Sequence, residues 1–193
     1  MIFVTVGTHE QQFNRLIKFI DELKRDKVIV EDVIMQTGFC TYKPKYCEWH
    51  KLISYKDMEK NVRDARIVIT HGGPASFIMP LQIGKVPIVV PRQETFHEHV
   101  NNHQVDFAKQ IEKRMGTIIP IYNIEDLKDT IINYDSIVAS MNSSMGSNNK
   151  QFNKNWFISF KGTFTYAHNK ILKRDEPLNR QYPNVSTIGN PVN

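Results

Sequence analysis

Ile67-Val68-Ile69-Thr70-His71-Gly72-Gly73-Pro74-Ala75-Ser76 is the stretch that decides the fold, and Pro87-Ile88-Val89-Val90-Pro91-Arg92-Gln93 repeats its logic. In each, a short run of β-branched apolar residues, of the type buried on both faces of a parallel sheet, ends in a polar or glycine-containing loop. Loops at the carboxyl ends of such strands are where open α/β sheets bind their ligands. Two of them in succession suggest a nucleotide site at the edge of a parallel sheet.

Outward from that stretch the same rhythm continues. Ile2 to Val6 reads as a first strand, followed by a helix from about Gln12 to Lys24 with Phe13, Leu16, Ile17, Ile20 and Leu23 at three- and four-residue spacing. A second strand is expected from Val28 to Met35, a short third near Trp49 to Ile53, and a charged helix from Lys56 to Asp64. The strand Arg66 to Thr70 leads into a helix over Ala75 to Ile83, stopped by Gly84 and kinked by Pro80. Strands at Val86 to Pro91 and Thr117 to Ile121 flank a loop, Arg92 to Glu98, and a helix running to about Lys113. Ile124 to Tyr134 makes a last helix, and the small polar run from Ser140 to Asn149 has the composition of a linker. This alternation predicts an α/β fold, a Rossmann-like parallel sheet with helices on both faces.

Composition narrows the function. The chain has 193 residues, 40% of them hydrophobic, and no apolar run approaches the roughly 20 residues that cross a bilayer. Met1 to Val6 lacks a basic leader and reads as a strand, so a cytoplasmic location is expected. Cys40 and Cys47 fit neither a disulfide framework nor a zinc knuckle and read as free thiols. The formal charge is +5, but six basic residues beyond position 150 face only Asp175 and Glu176, leaving +1 for the first 150 residues. The main domain has no basic stripe to track a phosphate backbone, and nucleic acid is not an expected partner.

Three strand ends carry the candidate residues. Gly7 and Thr8 offer backbone N–H groups near a helix start, suited to a phosphate, although an ordinary tight turn has the same look. Gly72 and Gly73 permit close backbone approach, Ser76 can add a hydroxyl, and His71 either touches a ligand or satisfies strand-end carbonyls. Arg92, Gln93, Glu98, His99, Asn102, His103 and Gln104 bring donors and acceptors for ribose, base or sugar hydroxyls, or else form a solvated helix start.

Rival chemistries lack their motifs. There is no Gly-x4-Gly-Lys-Ser/Thr loop and no Gly-x-Gly-x2-Gly fingerprint, which counts against ATP hydrolysis and NAD chemistry. His99 and His103 stand one helical turn apart with His97 nearby, but no His-Glu-x2-His motif or obvious further ligand completes a metal site. No Gly-x-Ser-x-Gly elbow supports a nucleophilic serine. Neither a metal nor a cofactor is expected.

Taken together in order, Met1 to Thr8, His71 to Ser76, Pro87 to Gln93, Glu98 to Val100 and His103-Gln104 resemble one family over about residues 1–152. It is the small subunit of split bacterial glycosyltransferases of capsule and exopolysaccharide synthesis, similar to the carboxyl-terminal domain of glycosyltransferase family 28 and its MurG-type enzymes. The resemblance implies one half of a GT-B enzyme that binds a UDP-sugar, UDP-galactose being favoured and UDP-glucuronate also reasonable. It further implies a membrane-associated partner subunit that binds a lipid-linked oligosaccharide acceptor, supplies the general base, and recruits the chain to the inner face of the plasma membrane.

On that resemblance, Gly7 and Thr8 lie near the diphosphate, and His71, Gly72, Gly73 and Ser76 hold phosphate and ribose. Glu98, His99, Asn102, His103 and Gln104 face the sugar and the interdomain cleft, with Arg92 and Gln93 at its mouth. Two departures stand out. MurG-type enzymes place a ribose-binding glutamate where this chain has Met79, leaving Glu98 or Gln104 to replace it. The segment 153–193 is basic, polar and unlike the family, and is expected to be disordered or a docking tail. The alternatives are an enhancer that stabilises the partner glycosyltransferase without its own nucleotide site, and a sugar-nucleotide epimerase, which the missing NAD fingerprint disfavours.

Overall fold

The computed structural model describes residues 1–144; the expected tail at 153–193 and the second half of the expected linker, 145–149, lie outside the described residues. Six strands form one sheet in the order β3-β2-β1-β4-β5-β6, every neighbouring pair parallel. They are β1 (Ile2–Thr5), β2 (Val33–Gln36), β3 (Glu48–His50), β4 (Ile67–His71), β5 (Ile88–Val90) and β6 (Ile119–Pro120). This is the doubly wound nucleotide-binding order, and its direction reverses between β1 and β4.

Alternation along the strands divides the core between two faces. Ile2, Val4 and Val6 point with Ile67 and Ile69 toward the buried row Phe13, Leu16, Ile17, Ile20 and Leu23. Most of that row belongs to α1 (Asn14–Arg25), and α5 (Asp126–Ile132) packs on the same side through Leu127 and Ile131. Phe3 and Val68 face the other way, onto Val62 of α2 (Tyr55–Asp64) and Met79 of α3 (Pro74–Gln82). Phe77 of α3 and Phe107 of α4 (His103–Met115) meet at 5.9 Å between ring centroids.

Several elements differ from the sequence expectation. The second strand begins at Val33 rather than Val28, because Val28 N and Ile29 N both turn back to Leu23 O and close α1. The helix after β5 begins at His103; Glu94–Phe96 is a short 3-10 turn, which leaves Glu98 in the loop between them. α3 is not among them: it runs through Pro80 to Gln82, within a residue of the expected span, and closes where Lys85 N and Ile83 N donate to Pro80 O. A helix also occupies Tyr134–Ser144, here α6, and runs into the stretch from Ser140 onward where a linker was expected. Tyr134 anchors it, its hydroxyl donating to Val86 O at 2.6 Å, while Ile137, Val138 and Met141 pack on the core.

Asp21 is fully buried in α1, where its carboxylate accepts from Tyr42 Oη, Lys45 N and Tyr46 N and so fixes the approach to β3. Both cysteines are free. No helix of the described residues is long and apolar enough to cross a membrane.

Candidate functional site

The switch point between β1 and β4 opens a crevice at the strands' carboxyl ends, entered by the loops that begin at Gly7 and at Gly72. His71 is the wedge between them. A Cβ at Gly7 would lie 2.5 Å from His71 Cε1, and one at Gly73 would lie 2.5 Å from His71 Nε2. Gly7 also has φ +72°, which side-chain-bearing residues rarely adopt. These two glycines therefore let the imidazole fit between two backbone segments, while Gly72 lies against Gln104 and Pro91.

Burial pushes the His71 imidazole down to about 3; the Arg92 guanidinium and His9 act in the same direction, and a backbone hydrogen bond with Thr5 opposes them. His71 is neutral at any physiological pH. It shapes the crevice and offers a neutral ring, and brings no positive charge to an anion.

Arg92 does not stand at the mouth of the crevice. It is fully buried, its Nη1 donating to Gln11 O and Gln12 O at 2.9 Å and to Glu98 O at 3.2 Å, and its Nη2 to Val6 O at 3.0 Å. The ring of Phe13 lies 4.8 Å from the guanidinium carbon. One side chain thus ties the loop after β1 to the loop after β5 and sets the spacing of the crevice walls. Its fork matches several carbonyls at once, which a lysine cannot do.

Glu98 is likewise turned inward and does not face the cleft. It is fully buried, and Arg15 Nε and Nη2 reach its two carboxylate oxygens at 2.9 Å each. Gln93 N donates to the same carboxylate at 3.1 Å, and Arg15 Nη2 reaches Pro91 O at 3.3 Å. A bidentate pair in this position orients the 3-10 turn, with Phe96 lying 4.6 Å from the Arg15 guanidinium carbon. Glu98→Gln is expected to cost about 1.5–3 kcal/mol of stability, the range for a charge-assisted hydrogen bond. Urea denaturation checks this; an unchanged midpoint would return Glu98 to the solvent-facing role read from the sequence.

The other candidates divide by what their polar atoms already do. Ser76 Oγ donates toward Gly73 O (2.7 Å) and His71 O (3.0 Å), so its proton is directed at the turn and not at an incoming anion. Gln93 Nε2 donates to Tyr122 O at 2.6 Å, toward the end of β6. Asn102 Oδ1 accepts from Glu94 N, and Gln104 Oε1 accepts from Arg92 N. Thr8, Asn102 and His103 are exposed, and His99 is partly so. Gly72, His103 and Gln104 share a pocket of about 390 Å³ with Pro74, Asp106 and Gln110. Met79 lies on the opposite side of α3, against Phe3 and Val62, in apolar company that supplies no ribose contact. Among the described residues no group of three or more His, Cys, Asp or Glu side chains is arranged to hold a metal ion.

His9 and Arg15 are site residues that the sequence reading passed over. His9 lies two residues beyond Gly7, close enough to have been counted with that loop. Arg15 carried a fainter signal, a cation beside the apolar row of α1.

A parallel sheet of this order, with a glycine-lined crevice at its reversal, defines a doubly wound, Rossmann-like α/β domain. The profile of the glycosyltransferase family 28 C-terminal domain matches residues 1–156, and the chain belongs to that family. The UDP-N-acetylglucosamine transferase subunit ALG13 of Homo sapiens is 33% identical over 121 residues, covering 58% of this chain and 10% of that protein. Its Mus musculus counterpart is 32% identical over 122 residues, with the same coverage of 58% and 10%. The chain therefore spans about a tenth of the length of these relatives. Among solved structures, the glycotransferase of kitacinnamycin superposes with a TM-score of 0.55 at 16% identity, covering 94% of this chain and 43% of that one. That likeness is one of fold, the chain corresponding to one half of a GT-B glycosyltransferase.

Proposed function

We propose that this chain is the donor-binding half of a two-component glycosyltransferase, taking a UDP-sugar in the crevice between β1 and β4. The observation that carries the reading is the His71 wedge between Gly7 and Gly73 in a chain of this family, which holds the side-chain-free loop after β1 and the start of α3 on either side of one ring. Backbone N–H groups at such places meet a diphosphate directly, and the helix dipole favours the negative charge.

Transfer from a UDP-sugar needs charge on the departing diphosphate to be stabilised as the anomeric bond breaks. Fixed N–H groups at Thr8 and the start of α3 supply that stabilisation without a metal, the Gly7 N–H being turned to Thr5 Oγ1 at 3.3 Å. His99, Asn102, His103 and Gln104, on or just before α4, line the side from which the sugar meets an acceptor. The acceptor hydroxyl must lose its proton to a base, which we place on a partner subunit together with the lipid-linked acceptor and the membrane attachment. The relatives' name makes UDP-N-acetylglucosamine the first donor to test, ahead of UDP-galactose and UDP-glucuronate. A role in capsule or exopolysaccharide assembly completes the reading.

The test is reconstitution. The purified chain is expected to bind a UDP-sugar yet show no transfer by itself, and to restore transfer when added to membranes carrying the partner. Full turnover by the isolated chain would contradict the division of labour. A second reading, an enhancer with no nucleotide site of its own, draws on Met79, whose apolar packing removes the ribose contact of MurG-type enzymes. His103→Ala, a change at an exposed residue, separates the two. Loss of transfer with the complex intact supports a donor site, and unchanged transfer supports the enhancer.

A further inference from the structure

Three imidazoles converge beside the crevice, one from the loop after β1 and two from the stretch that leads into α4. His9 follows β1, His99 precedes α4, and His103 is the first residue of α4. The rings of His9 and His99 lie 5.1 Å apart between centroids, and those of His99 and His103 also 5.1 Å. His99 Nδ1 is buried and has no hydrogen-bond partner.

The charges around the trio are uneven. Burial pushes the His9 imidazole below its ordinary value, the Arg92 guanidinium and His99 act in the same direction, and Glu10 opposes them. His71, behind His9, is held neutral. The carboxylate next to His99, that of Glu98, is engaged by Arg15 and Gln93 N. Asp106 lines the same pocket as His103. The Arg92 guanidinium thus acts on the His9 end of the trio, and the Glu98 carboxylate is already engaged. An imidazole cluster of this kind gains protons when an anion settles on it, because the anion favours each ring's charged form.

We propose that His9, His99 and His103 form a proton-loading clamp that binds the diphosphate of a nucleotide with uptake of a proton from solvent. The inference rests on the donor reading above and adds to it the pH dependence of that site and a role for His9. The diphosphate of a UDP-sugar is a diester whose two negative charges do not titrate near neutrality. Any proton taken up on binding therefore loads onto the protein, and linkage requires affinity to rise as pH falls.

The measurement is calorimetric titration of the full chain with UDP-N-acetylglucosamine and with UDP-galactose, in two buffers of different ionisation enthalpy at about pH 7. Expected are uptake of about half to one proton per nucleotide and an affinity gain of about three- to tenfold between pH 8 and pH 6. His9→Asn, at an exposed position, keeps a polar side chain that cannot protonate and is expected to remove at least about half of the uptake. Binding without proton exchange, or uptake unchanged in both His9→Asn and His103→Asn, overturns the clamp and leaves the donor reading standing. Absence of binding by either nucleotide overturns both.

Discussion

Arg92→Met is expected to lower folding stability by about 3–5 kcal/mol, the range for removing one member of a buried charged network. The substitution keeps an apolar stem of similar length but withdraws the donors to Val6 O, Gln11 O, Gln12 O and Glu98 O. Buried carbonyls left without donors each cost part of their desolvation free energy, and the two loops they belong to lose their common tie. Against a total of about 5–15 kcal/mol for an ordinary domain, the loss is severe. The urea midpoint reads it directly. Arg92→Lys should recover less than half, since one ammonium cannot span four carbonyls on two loops. A midpoint near wild type for either variant would show that the guanidinium is not what spaces the crevice.

Gly7→Ala is expected to weaken nucleotide binding by more than about tenfold and to cost about 1–2 kcal/mol of stability from backbone strain alone. Two separable causes act there: the φ of +72°, and a methyl 2.5 Å from His71 Cε1. Gly73→Ala isolates the second cause, because Gly73 has φ −74° and its added Cβ meets only the other side of the same ring. His71→Ala removes that ring, so the Gly73→Ala/His71→Ala double variant should fall short of the sum of the single losses. Denaturation and UDP titration of the four proteins close the cycle. Additive losses would show that the glycine and the histidine are not held in the relation described here.

The contrast between His71 and Arg92 marks what could be read from the sequence. Short β-branched runs and the apolar row of α1 disclosed the parallel sheet, and the glycines at its edge disclosed the crevice, because both signals are local. Arg92 and Glu98 were misplaced at the cleft for the opposite reason. Their partners Val6, Gln11, Gln12 and Arg15 lie some eighty residues away in sequence, and a charged residue in a polar loop gives no local sign that distant carbonyls or a guanidinium will enclose it. α6 is a different failure. Tyr134, Ile137, Val138 and Met141 carry helical spacing, but the small polar residues that follow outweighed it. Ser76 was placed correctly on the helix start, and only the direction of its hydroxyl escaped, since the choice between an anion and the turn's own carbonyls is made by the Gly72-Gly73 backbone.

The central claim is that the loops after β1 and β4 together hold the donor's diphosphate. Titrating the 15N-labelled chain with UDP and following the backbone amides tests it most directly. Saturable shifts are expected at Gly7, Thr8, Gly72, Gly73 and Ala75, with smaller changes at His99 and His103. Shifts confined to the far edge of the sheet near β3, or none at millimolar UDP, would contradict it.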